Sequence, residues 1–432
     1  MDPQRIVVVG AAGEMARVGI ERLAAHTDGC TFGLYDLDEH RLRELAGRLA
    51  PDRVDVGALD LFDSAALERA IAGSALVVLG AGPYIRTAPP VMRACIAAGV
   101  DYLDFDDDIE STQDAFELDA EARRAGVALF IGCGASPGLT NVLAVDAASR
   151  LDDVEEIDVC WVAGDEGARP YGRAVIEHVF HIAAGTTVTW RDGRHVTVET
   201  FVANEVVDLG GGIGRYRLYE TAHPEAVTLP RRFPAARSIR VLGGGHPQPM
   251  NGLVRGISVA VERGALTVDE AVDWFQAVTQ DENGSLKGWR HALGGMLGQV
   301  RRGESSLGEL GGFLWNGLRK RHAPFRGALM ARSIGTLGGS PATAVVRSPK
   351  SGPDTYLASS MGAVTGTCLA AFVTLALEAA GDRDGVLAPE DWVHPPTFYG
   401  ALARVGVPQD ELPEAFDSAG TELERAGTED RA

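Results

Sequence analysis

The sequence predicts an α/β fold whose first third is a doubly wound parallel sheet. Two observations predict it. Short, apolar, β-branched runs alternate with amphipathic segments over residues 6–131, and those runs end in glycine-rich or acidic turns. Such an order places helices on both faces of the sheet and gathers the turns beyond the carboxyl ends of the strands, where ligands bind.

Residues 6–9 (Ile-Val-Val-Val) form the first strand and lead into Gly10-Ala11-Ala12-Gly13-Glu14-Met15-Ala16. Met15, Val18, Ile20, Leu23 and Ala24 recur at roughly helical spacing, and 31–35 form a second strand ending at Asp36. A pyrophosphate must come close to backbone N–H groups at a helix N-terminus. Gly10 and Gly13 clear that approach, and Ala16 stands where a third glycine is common. The pattern is G-x-x-G-x-x-A rather than strict G-x-G-x-x-G, but strand, turn, helix and acid together make a Rossmann-type nucleotide grip. A bare tight turn is the competing reading. Asp36 is placed to accept from ribose hydroxyls and to repel a 2′-phosphate, so NAD is favoured over NADP, with Arg41 and Arg43 nearby as the counter-argument.

The alternation continues with a helix at 66–71 and a strand at 75–79 that ends in Gly80-Ala81-Gly82-Pro83-Tyr84. A helix at 90–98 follows, then a strand at 102–105 ending in Asp106-Asp107-Asp108. A helix at 115–125 leads to a strand at 127–131 that ends in Gly132-Cys133-Gly134-Ala135-Ser136-Pro137-Gly138. After residue 151 the pattern changes. Strands are expected at 157–162, 241–245, 343–346 and 355–358, a hairpin at 188–198 turning on Asp192-Gly193, and helices at 175–184, 268–278 and 307–320. Residues 361–380 read as a long buried helix, because Gly and Thr interrupt the apolar run. From Gln409 the chain turns acidic and is expected to fray.

Composition narrows the function. A net charge of −20 over 432 residues argues against nucleic acid, which requires a concentrated basic surface, and is compatible with a cationic small substrate. The five cysteines contain no C-x-x-C pair, so neither a disulfide framework nor a zinc knuckle is indicated. Lysine occurs only at 287, 320 and 350, and none follows the glycine turn, which excludes a P-loop. The N-terminus lacks the apolar core of a signal peptide. A cytoplasmic protein with no membrane partner is expected.

The stretches VVVGAAGEMA, ALVVLGAGPY, PVMRACIAAGVDYLDF and GVALFIGCGASPGLTNVLAVDAA, with HPEAVTLP further on, resemble the saccharopine dehydrogenase-like family. The resemblance extends to about residue 407. It implies a Rossmann domain over 1–150, a second α/β domain with a mixed sheet over 151–358, and C-terminal helices over 359–408 that return to the first domain, leaving 409–432 as a disordered acidic tail. It also implies a homodimer and NAD(P)-dependent hydride transfer at a carbon–nitrogen bond of an amino-acid- or polyamine-derived substrate. The family also includes enoyl reductases, so reduction of a C=C or C=O bond is the alternative, and a silent dinucleotide binder is a third reading. The chain departs from the family's common pattern at Ser136 and at Asp106-Asp107-Asp108, both on the substrate side.

Residues for the chemistry are sought on the strand-end turns. The cofactor is assigned to Gly10, Ala11, Ala12, Gly13, Glu14, Met15, Asp36, Gly80, Ala81, Gly82, Pro83, Asp104 and Cys133. Asp106 is the candidate base, since neighbouring carboxylates raise its pKa, and Tyr84 and His223 are the other catalytic candidates. Thr140, Asn141 and Arg173 are assigned to substrate, Thr140 and Asn141 with helix capping as the competing role. His178 and His181 lie three apart on one helix. A packing role is favoured for them, and no metal site is assigned.

Overall fold

Parallel pairing governs the first sheet in the computed structural model, which describes residues 4–164, 167, 171–379, 381, 383–417 and 420–423. Strands β1 (Gln4–Val9), β2 (Cys30–Asp36), β3 (Val54–Ala58), β4 (Leu76–Leu79), β5 (Asp101–Asp104) and β6 (Ala128–Phe130) alternate with helices. Their spatial order, 3-2-1-4-5-6, reverses direction between β1 and β4, and this switch point opens the crevice above the sheet. Ile6, Val7, Val8 and Val9 are all buried because helices cover both faces, which is why the strand reads as an unbroken apolar run. The edge strand β3, Val-Asp-Val-Gly-Ala, is largely exposed and carries no such run, so the sequence does not announce it.

The second domain is a ten-stranded mixed sheet. It contains β7 (Asp153–Gly164), β8 (Thr186–Arg191), β9 (Arg194–Glu199), β10 (Asn204–Asp208), β11 (Arg215–Glu220), β12 (Ser238–His246), β13 (Ala328–Leu337) and β14 (Ser340–Arg347). Among its described strands only β7 and β12 pair in parallel. The β8–β9 hairpin turns at Asp192-Gly193, both at positive φ, as a two-residue hairpin turn demands. Helices Arg173–Ile182, Pro249–Glu262, Val268–Thr279, Leu286–Arg301 and Leu307–Leu318 form a layer beside the sheet, with their own apolar core.

The chain then returns to the first domain. Helix Met361–Glu378, the one described helix long and apolar enough to span a bilayer, is mostly buried and packs along helix Glu14–His26. Small residues make the close approach feasible: a Cβ on Gly366 would fall 2.5 Å from the Met15 carbonyl oxygen, and one on Gly19 2.9 Å from Leu369 Cδ2. The return also contributes a seventh parallel strand, β15 (Gly385–Leu387), beside β6.

Two expectations are corrected. Residues 355–358 form no strand, because the backbone N–H groups of Tyr356 and Leu357 donate to the Glu411 carboxylate (2.9 and 2.8 Å to Oε2) instead of to a neighbouring strand. The acidic tail is also ordered further than its composition suggests. Gln409–Glu411 is a 3₁₀ turn, and β16 (Glu414–Asp417) pairs antiparallel with β14 and with β17 (Glu422–Leu423). Arg347 fixes this edge, donating to Glu414 at 3.1 Å and stacking 4.2 Å from the Phe416 ring centroid. Residues 424–432 lie outside the described residues.

Gly366→Val should destabilise the protein by ~1–3 kcal/mol, the usual cost of overpacking a tight helix contact. Gly400→Ala, in an exposed helical position where a Cβ meets nothing, should be neutral or stabilising. Denaturant unfolding of the two variants checks the contrast, and equal stability would rule out the tight helix contact.

Candidate functional site

The turn after β1 is shaped by crowding. Gly10 has φ +84°, and a Cβ there would lie 2.5 Å from Ala81 N and 2.7 Å from Gly80 C. Gly80 is equally confined, its own Cβ position lying 2.8 Å from Ala16 Cβ, so a larger residue at 16 would collide with the turn after β4. Gly13 caps helix Glu14–His26 without a side-chain hydrogen bond. Asp36, at the end of β2, accepts from Ala12 N (3.0 Å) and Asp38 N (3.1 Å), tying the glycine turn to the neighbouring strand. Bare backbone at a helix N-terminus beside a carboxylate fits a dinucleotide, with the helix end for its phosphates and Asp36 for a ribose. Arg41 is paired with Asp38 at 3.4 Å and Arg43 with Glu39.

From this turn a cavity of about 1110 Å³ extends into the second domain. Gly13, Glu14, Met15, Gly80, Gly82, Pro83 and Tyr84 line its cofactor end, while Gly10, Ala11, Ala12 and Ala81 build the turn behind. The far end is walled by Ile176, Phe180, Phe201, Val254 and Phe275. Among the described lining residues Lys350 is the one lysine or arginine, and it is paired with Asp410.

Charged groups meet where the two ends join. Asp107 and Asp108, after β5, face His178 on helix Arg173–Ile182: Asp108 Oδ1 lies 3.0 Å from Nδ1 and Asp107 Oδ2 3.3 Å from Nε2. Burial alone would lower the His178 pKa, but the two carboxylates outweigh it and push it up to about 9. Burial raises Asp107 despite the imidazolium, whereas Asp108 ends below the usual carboxylate range because its hydrogen bond and ion pair to His178 outweigh burial. Glu110 pairs with His181 at 3.4 Å. The His223 ring lies 5.7 Å from that of His178 and 5.3 Å from that of Trp161, and its Nδ1 is 3.2 Å from Glu225 Oε2. Glu225 is wholly buried, and Ser136 and Thr140 donate to its Oε1 at 2.6 and 2.7 Å.

Several sequence assignments are corrected by this geometry. Asp106 does not line the cavity. It is buried behind it, accepting from Asp108 N at 2.9 Å, with its pKa raised by burial and by Asp104 and Asp108. Asp104 is fully buried and accepts from Tyr102 Oη (2.8 Å), Gly132 N (2.8 Å) and Asp106 N (3.1 Å), so it braces the loops rather than meeting a cofactor. Cys133 is sealed from the cavity, and burial pushes its thiol well up. Asn141 caps Gly138 N (2.8 Å) and donates to Glu390 (2.8 Å), and Thr140 serves Glu225, so neither is free for a substrate. Arg173 is exposed and paired with Glu177 (2.7 Å) and Asp269. Tyr84 does line the cavity, but its hydroxyl points to the Leu79 carbonyl at 3.4 Å and its ring meets Phe105 edge-on. His223 also lines it. Sequence reasoning missed the pairing of His178 with Asp107 and Asp108. The available signal was an acidic turn in one domain and a histidine helix in the other.

Comparison with known proteins agrees with this construction. Residues 6–130 match the family model of the saccharopine dehydrogenase NADP binding domain. A trans-acting enoyl reductase of Mycobacterium leprae is 31% identical over 133 residues, which is 30% of this chain and 32% of that protein. A carboxyaminopropylagmatine dehydrogenase of Synechocystis is 26% identical over 164 residues, 36% of this chain and 40% of that one. The chain thus matches only about a third of the length of these curated relatives. A saccharopine dehydrogenase (L-Glu forming) from Saccharomyces cerevisiae shares the fold over 96% of this chain and 99% of its own, with a TM-score of 0.62 at 15% identity. Residues 6–130 thus match a saccharopine dehydrogenase NADP binding domain, and the chain as a whole shares the fold of a saccharopine dehydrogenase.

Proposed function

We propose that the protein is an NAD(P)-dependent oxidoreductase acting on a carbon–nitrogen bond of a cationic, polyamine-like amine or its imine. The observation that carries this reading is the Asp107–His178–Asp108 group on the wall between the cofactor turns and the substrate end of the cavity. A bound nicotinamide would supply the hydride acceptor or donor. Asp107, held above the ordinary carboxylate range by burial, is suited to take a proton from a substrate nitrogen or return it. Asp108, held ionised by His178, keeps that imidazole in place. No arginine lines the cavity among the described residues, so a diamine suits it better than a substrate with several carboxylates. The similarity to carboxyaminopropylagmatine dehydrogenase supports the same reading.

A second reading rests on a different observation. The wall of Ile176, Phe180, Phe201, Val254 and Phe275 suits an apolar group, as in a reductase of a C=C bond, and the trans-acting enoyl reductase similarity favours it within the first domain. Absorbance at 340 nm with each dinucleotide separates the two. Amine-dependent reduction of NAD⁺ or NADP⁺ supports the first, and oxidation of NADH or NADPH by enoyl thioesters alone replaces it with the second.

The carboxylate at the end of β2 favours NAD although the family model is named for NADP. Asp36→Arg should lower kcat/KM for NAD by about tenfold or more, ~1.4 kcal/mol, and raise the NADP/NAD ratio. An unchanged ratio would show that Asp36 does not face the ribose.

His178 also sets a pH dependence. Its folded-state pKa of about 9 lies above the ordinary 6.5, so its ion pairs stabilise the fold fully below about 6.5 and lose that contribution as pH rises toward 9. The stability difference between the native protein and His178→Gln, read by urea unfolding, should therefore be constant at acid pH and shrink between pH 6.5 and 9. A pH-independent difference would mean that His178 is neutral in the fold.

A further inference from the structure

Helix Leu307–Leu318, Leu-Gly-Glu-Leu-Gly-Gly-Phe-Leu-Trp-Asn-Gly-Leu, lies far from the glycine turn in sequence and is unusual in its exposure. Leu310 is its one fully buried side chain, while Leu307 is 71%, Trp315 55% and Leu318 81% exposed. Helix Leu286–Arg301, which precedes it, exposes Leu286, Leu293 and Leu297 together with Arg290, at four- and three-residue steps that define one face. The charge around these helices is reversed relative to the chain. Residues 285–326 hold eight lysines and arginines against two acids in a protein of net charge −20. Arg319-Lys320-Arg321 follow the helix directly. All three are exposed, and none forms an ion pair with a carboxylate among the described residues, while Arg319 stacks 4.2 Å from the Trp315 ring centroid. The acids nearby are committed elsewhere: Glu309 accepts from Ser306 N at 2.7 Å, Glu304 from Arg302 Nε at 2.6 Å, and Glu270 holds Lys287 at 2.8 Å.

We infer that this helical tip docks on an anionic lipid surface. Exposed leucines and a tryptophan beside an unpaired basic run are what an interfacial helix presents to headgroups and the acyl boundary, lying on the bilayer without spanning it. Each lysine or arginine near an anionic leaflet adds attraction that vanishes within a Debye length. A second copy of the chain fits this tip less well, because a two-fold contact would set Arg319-Lys320-Arg321 against the same cluster. The inference stands apart from the catalytic reading and runs against the expectation that no membrane is involved.

The test is co-sedimentation of the full chain with phosphatidylcholine–phosphatidylglycerol vesicles and with phosphatidylcholine vesicles. Binding should occur with the anionic vesicles, weaken with salt, and fall about a hundredfold in the triple variant Arg319→Gln, Lys320→Gln, Arg321→Gln. Trp315→Ser with Leu318→Ser should also release it, and because both positions are exposed, circular dichroism should show both variants folded. No pelleting, or pelleting equal on neutral vesicles and unchanged in the variants, overturns the inference. Concentration-dependent self-association in sedimentation velocity, lost in Trp315→Ser with Leu318→Ser and without vesicle binding, would overturn it in favour of a second copy.

Discussion

A single buried carboxylate organises the catalytic end of the molecule. Asp104 closes β5, and its two oxygens take hydrogen bonds from Tyr102, Asp106 and Gly132, so one residue holds both its own strand end and the turn after β6. The Asp104 carbonyl accepts from Cys133 N at 2.8 Å, completing the tie. Burial raises its pKa to about 6, which leaves it ionised at neutral pH and makes every one of those donors matter. With Asp104 fixed, Asp106 folds back to brace Asp108 N, and the next two carboxylates are delivered to the cavity. The acids that meet His178 are thus positioned by acids that meet nothing in the cavity.

The second constraint is steric. Gly10, Gly80 and Ala16 meet within a space that admits no further side-chain atoms, and Gly19, Gly362 and Gly366 let the C-terminal helix settle on the same segment. A Cβ on Gly362 would fall 2.8 Å from Glu14 Cγ, which places the returning helix directly against the start of the nucleotide turn. Geometry at the cofactor end therefore depends on residues some 350 positions downstream as well as on the turn itself. Such sites tolerate volume changes poorly because a packed interior has no slack to absorb them.

Much of the fold was legible because strands buried on both faces have no alternative composition: 6–9 and 75–79 read as strands from apolarity alone. What was illegible depended on direction. Past the end of a strand, the two-residue alternation no longer says which way a side chain points, and the choice among Asp106, Asp107 and Asp108 fell on the one that turns inward. Asn141 and Thr140 looked like ligands because polar residues near a glycine turn often are, yet their partners, Glu390 and Glu225, come from segments 249 and 85 residues away that no local pattern connects. Arg173 begins its helix as a substrate clamp might, but its neighbours one turn on and across the helix pair are acids that occupy it. The tail read as frayed because its acidity was counted without Arg347, which neutralises Glu414 and covers Phe416.

Imidazoles answer several of the carboxylates around the cavity. Asp107 and Asp108 share His178, Glu110 has His181, and Glu225 has His223. Glu14, Glu177 and Glu262 also line the cavity, so the wall keeps more carboxylates than imidazoles. An imidazole partner differs from an arginine in that its charge can be withdrawn: a proton leaving His178 takes the countercharge away from Asp107 and Asp108 without moving a heavy atom. The wall therefore becomes more anionic across the range in which His178 titrates. Under the proposed function that change would act on a cationic amine, whereas a purely apolar substrate would feel none of it.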